Sequence, residues 1–105
     1  MLKFQFDDAF SHTICDTTDV KAYSQEFLKT FSIIKASIKL DACFKFPPAK
    51  VATAIILLSG YAQIESGGLL TSARAGTLVI HTPGTQMQIF NHHSSEVRVI
   101  AVKVC

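Results

Sequence analysis

The only imidazole side chains that this sequence offers to a metal ion are those of four histidines: His12, His81 and the adjacent pair His92-His93. Neighbouring residues of an extended segment point to opposite sides, so His92 and His93 form a poor chelating pair. We expect both of them in a solvated turn. His81 lies on a predicted strand, where it either faces the interior or is a hydrogen-bonded wall residue. The spacing therefore predicts no metal site.

Other reactive groups also lack a catalytic arrangement. Asp41 and Glu65 are too far apart along the chain to be identified as an acid–base pair from position alone. No serine or threonine lies in a nucleophile elbow. The segment Ser66-Gly67-Gly68 has the composition of a phosphate loop, but it opens a strand, so it lacks the helix dipole that binds phosphate. We predict no catalytic residue and no cofactor.

The cysteines are three: Cys15, Cys43 and Cys105. This odd number without metal-ligand spacing, and without a recognisable cleavable signal peptide, is typical of a protein of the reducing cytoplasm. Cys43 lies in an apolar segment and is predicted to be a small buried hydrophobe, whereas Cys105 is predicted to be an exposed thiol.

The composition indicates one packed domain spanning residues 1–105. Hydrophobic residues make up 49% of the 105 residues and charged residues 17%, which excludes a disordered chain and favours burial of part of the apolar surface in a homodimer. The net charge of +2 is spread along the chain, so nucleic acid is not an expected partner. The longest apolar run, Val51 to Leu58, is too short to cross a membrane as a helix.

The secondary-structure elements that position the histidines, carboxylates and cysteines are predicted to be strands. From Ile34 to Ala42, apolar and polar residues alternate, which predicts a half-buried strand. Pro47-Pro48 interrupts it, and Val51 to Ser59 is predicted to be a second strand, apolar on both faces. Gly60 ends or bends that strand.

The second half is predicted to be a series of short strands joined by tight turns. The turns are predicted at Ser66-Gly67-Gly68, Ala75-Gly76, Pro83-Gly84 and residues 92–95, and the strands at 61–65, 69–73, 77–82, 87–91 and 96–104. Regularly spaced short strands of this kind are the pattern of a sandwich or a closed barrel.

The first thirty residues give a different signal. Large apolar residues recur there at helical spacing, at Val20, Tyr23, Phe27 and Phe31. Thr18-Asp19 provides N-cap residues before them. We therefore predict a short N-terminal helix with a core-facing aromatic stripe.

The segment from Leu58 to Asn91 resembles the cupin superfamily. The second motif of that superfamily reads Gly, five residues, Pro, one residue, Gly, two residues, His, three residues, Asn. In this sequence the corresponding positions are occupied by Gly76, Thr82, Gly84, Met87 and Asn91. The proline is shifted to Pro83, and Met87 replaces the metal-binding histidine. The resemblance implies an all-β fold, a cupin-type double-stranded β-helix or jelly-roll barrel.

The first cupin motif is preserved only at its closing glycine, Gly60. Counting back places Thr53 at the family's glutamate, and Phe46 and Pro48, or Pro47 and Ala49, at its two histidines. Divalent transition metals need several imidazole or carboxylate donors in one shell, and these residues offer none. The resemblance thus implies a cupin without the family's metal ligands.

The barrel interior that the resemblance implies contains Thr53, His81, Met87 and Asn91, which we predict as ligand-binding residues. The interior is mainly apolar, which fits either a packed core or a small, partly apolar ligand such as a sugar or organic acid. The second half is also similar to the C-terminal barrel of type I mannose-6-phosphate isomerases, which implies a carbohydrate context.

Three functional hypotheses follow. The first is a non-catalytic module that binds a small molecule or a protein partner. The second is a metal-dependent cupin enzyme, a dioxygenase or isomerase, with relocated ligands drawn from His81, His92 or His93. The third, a sensory barrel of a transcription regulator, is disfavoured because no helix-turn-helix segment accompanies the barrel.

Overall fold

The computed structural model describes residues 12–27, 31–48 and 50–104. Within these ranges the chain forms ten strands and no helix. The strands are β1 (His12–Asp16), β2 (Val20–Phe27), β3 (Phe31–Lys39), β4 (Cys43–Lys45), β5 (Thr53–Ser59), β6 (Tyr61–Ser66), β7 (Leu69–Arg74), β8 (Leu78–His81), β9 (Met87–Phe90) and β10 (Glu96–Val104). The all-β prediction is confirmed. No helix in the described part of the chain is long and apolar enough to span a membrane.

The strands form two antiparallel sheets. One has six strands in the order β1-β2-β3-β10-β5-β8, and the other has four in the order β4-β9-β6-β7. β10 lies between β3 and β5 and pairs with β3 from Glu96 opposite Lys39 to Val104 opposite Phe31. Consecutive strands such as β2 and β3 form hairpins, whereas β10 joins elements that are far apart in the sequence.

Alternating burial places the core between the two sheets. In β3 the residues Ile34, Ala36 and Ile38 are buried while their neighbours are more exposed, as the alternation predicted. Burial alternates with the same period of two in β10, where Val97 and Val99 are fully buried. β3 ends at Lys39, so Leu40, predicted to continue this buried face, is 49% exposed.

The helix predicted near the N-terminus is wrong. Val20, Tyr23 and Phe27 lie in β2, and Phe31 begins β3. Val20 and Ala22 are buried while Lys21 is exposed, so the period in this segment is two. Pairing of β2 with β3 over the whole of β2 overrides the helical spacing of the large residues.

Two further predictions differ from the structure. Cys43 is exposed at the start of β4, since the buried position of that short strand is Phe44. β5 begins at Thr53, and its alternate residues Ile56 and Leu58 are exposed, so the strand is buried on one face only. Ala49 and Cys105 lie outside the described residues.

Candidate functional site

One end of the six-stranded sheet carries a row of polar side chains on its inner face. Cross-strand pairing joins Glu26 to Ser32, Ser32 to Lys103, Lys103 to Thr53 and Thr53 to His81. Each lies on the alternating set of its strand that faces the core. We call these five residues the polar row. Directly opposed side chains of an antiparallel sheet are close neighbours, so the row is continuous across five strands.

The adjacent row on the same inner face is mostly apolar. It consists of Ser24, Ile34, Ala101, Ile55 and Val79. The polar row therefore marks the level at which the hydrophobic core ends. Ser32, Thr53 and His81 are buried there, Lys103 is half-buried, and Glu26 at the margin is exposed.

A cavity of about 710 Å³ opens at this end of the molecule, and we call it the end cavity. Glu26, Ser32 and Lys103 of the polar row line it, together with Lys50 from the turn before β5. The volume lies within the range of small-molecule sites in proteins. Pro47 and Pro48 form part of the wall and, because their rings restrict the backbone, they stiffen it.

Ser32 is the most unusual member of the polar row. It is only 8% exposed, and its Oγ has no hydrogen-bond partner among the described residues. A buried hydroxyl without a partner costs roughly 1–3 kcal/mol. A polar atom supplied from the end cavity would satisfy this hydroxyl.

Positive charge dominates the cavity wall. Lys50 and Lys103 contribute ammonium groups, and His12 lies on β1 at the same opening. Glu26 supplies a carboxylate of opposite sign. The half-buried position of Lys103 makes its attraction for an anion stronger than that of a fully solvated lysine, because the effective dielectric constant is lower there.

His81 is a hydrogen-bonded wall residue. It is 2% exposed, and its Nε2 lies 2.7 Å from the carbonyl oxygen of Thr85. The carbonyl can only accept, so Nε2 carries the hydrogen and donates it. Thr53, its cross-strand neighbour, places its hydroxyl 3.5 Å from the Val51 carbonyl oxygen.

Asn91 has a structural role at the opposite end of the barrel. Its Nδ2 donates to the carbonyl oxygens of Ile38 and Ser94, each at 2.9 Å, and its Oδ1 accepts from the Ser94 backbone N–H at 3.0 Å. Ile38 lies six residues along β3 from Ser32, a distance of roughly 20 Å. The structure therefore brings Thr53 and His81 together but separates Asn91 from them.

Met87 lies at the same end of the barrel as His81. It is fully buried and lies two residues after Thr85, the hydrogen-bond partner of His81. All four predicted ligand-binding residues thus face the interior, where their side chains pack or bond to backbone. Their role toward a ligand stays a prediction.

The residues at the cupin metal positions do not fit a metal ion. The Phe46 backbone N–H donates to the Met87 carbonyl at 2.9 Å, so these two positions are neighbours as the resemblance implies. They present a phenyl ring and a thioether, and Thr53 presents a hydroxyl. None of these is the imidazole or carboxylate donor that divalent transition metals require. Pro48, which takes the second histidine position beside Phe46, is exposed, and so is Pro47 of the alternative pair.

The remaining histidines do not converge with His81. His92 and His93 are exposed in the turn after β9, as predicted. There His92 stacks on Phe90 with centroids 5.8 Å apart, and His93 meets Tyr61 edge-on at 5.6 Å. Within the described ranges, no three side chains of His, Cys, Asp or Glu are grouped closely enough to hold a metal ion.

Sequence reasoning missed Ser32 and Lys103. Lys103 follows Val97, Val99 and Ala101 at a spacing of two, so strict alternation alone places it on the inner face of β10. The residue type points the other way, because lysines are mostly solvated surface charges. Its partnership with Ser32 depends on the pairing of β10 with β3, which no local pattern shows.

Comparison with solved structures identifies the fold. An RmlC-like cupin from Shewanella frigidimarina superposes with a TM-score of 0.75 at 11% identity, over 99% of this chain and 91% of that chain. The Cnp3 cupin domain of Schizosaccharomyces pombe gives 0.70 at 15% identity, over 79% and 62%. A predicted oxalate decarboxylase from Thermotoga maritima gives 0.69 at 13% identity, over 81% and 79%. The match thus spans less than two thirds of the Cnp3 domain.

No protein-family model and no curated protein matches the chain. The structural likenesses show the cupin fold, a jelly-roll β-barrel, and confirm that prediction. At sequence identities of 11–15%, these likenesses show a shared fold and nothing about function.

Proposed function

We propose that this chain is a non-catalytic binding module whose end cavity takes a small organic acid or an acidic sugar. The observation that carries the proposal is the buried Ser32 hydroxyl, unpartnered among the described residues and paired across the sheet with the inward-facing Lys103. A hydroxyl and an ammonium group side by side form a site for a carboxylate or phosphate oxygen.

The charge of the cavity wall supports an anionic ligand. Lys103 and Lys50 both line the end cavity, so a carboxylate placed between them would receive two charge-assisted contacts. Glu26 on the same wall accepts hydrogen bonds and would suit the hydroxyl groups of a sugar acid or hydroxy acid. An inner wall that includes Ile34 fits the carbon skeleton of the ligand.

Binding without catalysis agrees with the chemistry of the interior. At the level of the polar row the barrel offers hydroxyls, one histidine whose Nε2–H is engaged, one lysine and, at the exposed margin, the carboxylate of Glu26. The residues at the metal positions of the fold, Phe46, Thr53 and Met87, cannot activate a bound molecule through a metal. A cytoplasmic location, predicted from the cysteines, remains part of the proposal.

A thermal-shift screen tests the proposal. Carboxylic acids, uronic acids, sugar phosphates and neutral sugars are added separately at millimolar concentration, and the melting temperature is followed. A ligand present at about 100 times its Kd stabilises the folded state by about 2.7 kcal/mol. We expect at least one acid to raise the melting temperature and the neutral sugars to leave it unchanged. Carboxylates and phosphates are distinguished by which group gives the larger shift.

Three variants decide where the ligand binds. Lys103→Met keeps the aliphatic stem but removes the charge, and Ser32→Ala removes the hydroxyl; both should abolish most of the shift. Lys21→Met removes an exposed charge on the outer side of β2 and should leave the shift unchanged. A shift that survives in Lys103→Met, or a complete absence of acid-dependent shifts, would contradict the proposal.

Metal analysis addresses the enzymatic alternative. The metal-dependent dioxygenase or isomerase hypothesis requires stoichiometric Fe, Mn, Ni or Zn in the purified protein, with loss of that metal in His81→Ala. Since His81 lies far from His92 and His93, we expect no stoichiometric metal whose retention depends on His81.

A further inference from the structure

A second opening lies between the edges of the two sheets. β7 ends the four-stranded sheet and β8 ends the six-stranded sheet, and within the described residues no hydrogen-bonded ladder joins them. The opening has a volume of about 430 Å³. Leu69 and Thr71 of β7 line one side, Val79 of β8 lines the other, and the buried Ile64 of β6 forms part of the wall. We call it the edge slot, and none of its lining residues lines the end cavity.

The inner face of β7 is uncovered along the edge slot. Leu69, Thr71 and Ala73 occupy the alternate positions of β7 that face the core, yet only Ala73 is buried. Leu69 is 75% exposed. The hydrophobic core therefore closes at the end of β7 and stays open at its beginning, where an apolar side chain from outside would contact Leu69 and Val79.

The backbone of β7 has hydrogen-bonding groups on the side away from β6. In an antiparallel ladder, residues that bond to the partner strand alternate with residues whose N–H and C=O point away from it. Ser66 and Leu69 flank a two-residue turn and bond to each other. Arg74 confirms this alternation, because its N–H donates to Thr77 Oγ1 at 3.2 Å and its C=O accepts from the Thr77 N–H at 3.0 Å. The outward residues of β7 are therefore Leu70, Ser72 and Arg74. The first two have no partner strand among the described residues.

This edge lacks the features that protect exposed strands in proteins. Such edges usually carry charged side chains, prolines or bulges, whereas β7 from Leu69 to Ala73 contains neither a charge nor a proline. The residues that line the edge slot are also all uncharged. Because a buried charge without a partner is costly, charge complementarity requires that a segment covering this edge is uncharged as well.

We propose that an extended, uncharged segment of another protein adds to β7 as a further strand and fills the edge slot. Leu70 and Ser72 exchange backbone hydrogen bonds with it, and every second side chain of the segment enters the slot beside Leu69, Thr71 and Val79. In recognition of this kind, the main-chain bonds provide affinity and the pockets for alternate side chains provide specificity.

The geometry favours a single peptide strand over other occupants. A small molecule does not offer donors and acceptors at the two-residue repeat of a strand. A second copy of this chain would bring its own second sheet behind any edge strand. Stacked sheets lie about 10 Å apart, so β8 on the far side of the slot leaves width for one strand but not for another barrel.

Fluorescence anisotropy with a synthetic probe tests the proposal. The probe is a labelled heptapeptide of alternating valine and threonine, acetylated and amidated at its ends. When the valines enter the slot, the threonine N–H groups face β7 and the valine N–H groups face away. We expect saturable binding to the full chain. N-methylation of the threonines should raise the dissociation constant at least about tenfold, and N-methylation of the valines less than about threefold.

Two variants of β7 locate the bound peptide, each with a matched control. Ser72→Pro removes an outward N–H but leaves the ladder to β6 intact, as prolines on edge strands do, whereas Ser72→Ala keeps the N–H. Thr71→Lys places an ammonium group in the slot, whereas Gln63→Lys places it on the outer side of β6. We expect Ser72→Pro and Thr71→Lys to raise the dissociation constant of the probe at least about tenfold, and the controls to change it less than about threefold. Far-UV circular dichroism checks the strand content, and Thr71→Lys alone decides if Ser72→Pro fails to fold.

Three results would overturn the proposal. The first is the absence of probe binding up to about 1 mM, and the second is equal affinity of the probe for Thr71→Lys and the unmodified chain. The third is a dimer in sedimentation velocity that Ser72→Pro abolishes while the probe does not bind, which would make a second copy the occupant. The thermal shifts expected from acids depend on Ser32 and Lys103, so the ligand proposal is judged separately.

Discussion

Replacing Gly60 with alanine should destabilise the barrel through two separate effects. Gly60 has a φ of +86°, a conformation that costs a residue with a Cβ roughly 1–2 kcal/mol. A Cβ at this position would also lie 2.8 Å from the Glu96 carbonyl oxygen and 2.9 Å from Val97 Cγ2. Both neighbours belong to β10, which is held between β3 and β5 and has little freedom to move.

The magnitude follows from adding the two effects. Overpacking in a rigid surrounding costs typically 1–3 kcal/mol, so Gly60→Ala should lower the free energy of unfolding by about 2–5 kcal/mol. Gly76→Ala separates the two contributions, because Gly76 has a φ of +91° but a Cβ there would meet nothing within 4 Å beyond its chain neighbours. That variant should lose only the conformational part, about 1–2 kcal/mol.

Urea unfolding followed by circular dichroism measures both variants. They must be compared at one protein concentration, since self-association of any folded chain makes its apparent stability depend on concentration. For a domain of this size, a loss of 3 kcal/mol lowers the melting temperature by roughly 10–20 °C. If Gly60→Ala and Gly76→Ala agree within about 0.5 kcal/mol, the close approach of β10 to Gly60 contributes nothing and the reasoning fails.

Three further predictions concern the interior and one thiol. Asn91→Ala removes three hydrogen bonds to the backbone, one buried and two partly buried, and should cost about 2–4 kcal/mol in urea unfolding. Met87→Ala should cost about 2–5 kcal/mol and Met87→Leu under about 1.5, because only the first leaves a cavity at this fully buried position. Cys43 is an exposed residue, but partial desolvation of its thiol still raises its pKa, with Lys45 opposing the effect and Glu65 adding to it. In a chain with Cys15→Ser and Cys105→Ser, alkylation of Cys43 at pH 8 should therefore be slower than that of a short peptide thiol and should still accelerate above pH 9; equal rates would contradict this.

The second half of the fold could be predicted because its signals are local. The hairpin at Ser66-Gly67-Gly68 and the turn at Pro83-Gly84 separate alternating strands, so each boundary is visible in a few residues. The spacing of Gly76, Gly84 and Asn91 then sufficed to indicate the cupin fold.

The first strands and the site depend on non-local pairing. The segment from Val20 to Phe27 carries both a helical spacing of large residues and an alternation, and pairing with β3 decides between them. Ser32 and Lys103 are 71 positions apart in the sequence, and they become neighbours only because β10 lies beside β3. No window of a dozen residues contains that information, so the polar row could not be assembled from the sequence.

The central position of β10 also determines when the barrel can finish folding during translation. β3 and β5 both pair with β10, and residues 96–104 follow every other described strand along the chain. As the ribosome releases the polypeptide, β3 and β5 therefore emerge with an unsatisfied edge each, and such edges readily recruit other chains. Closure of the barrel waits for β10, so these two edges stay open until Glu96–Val104 has been made.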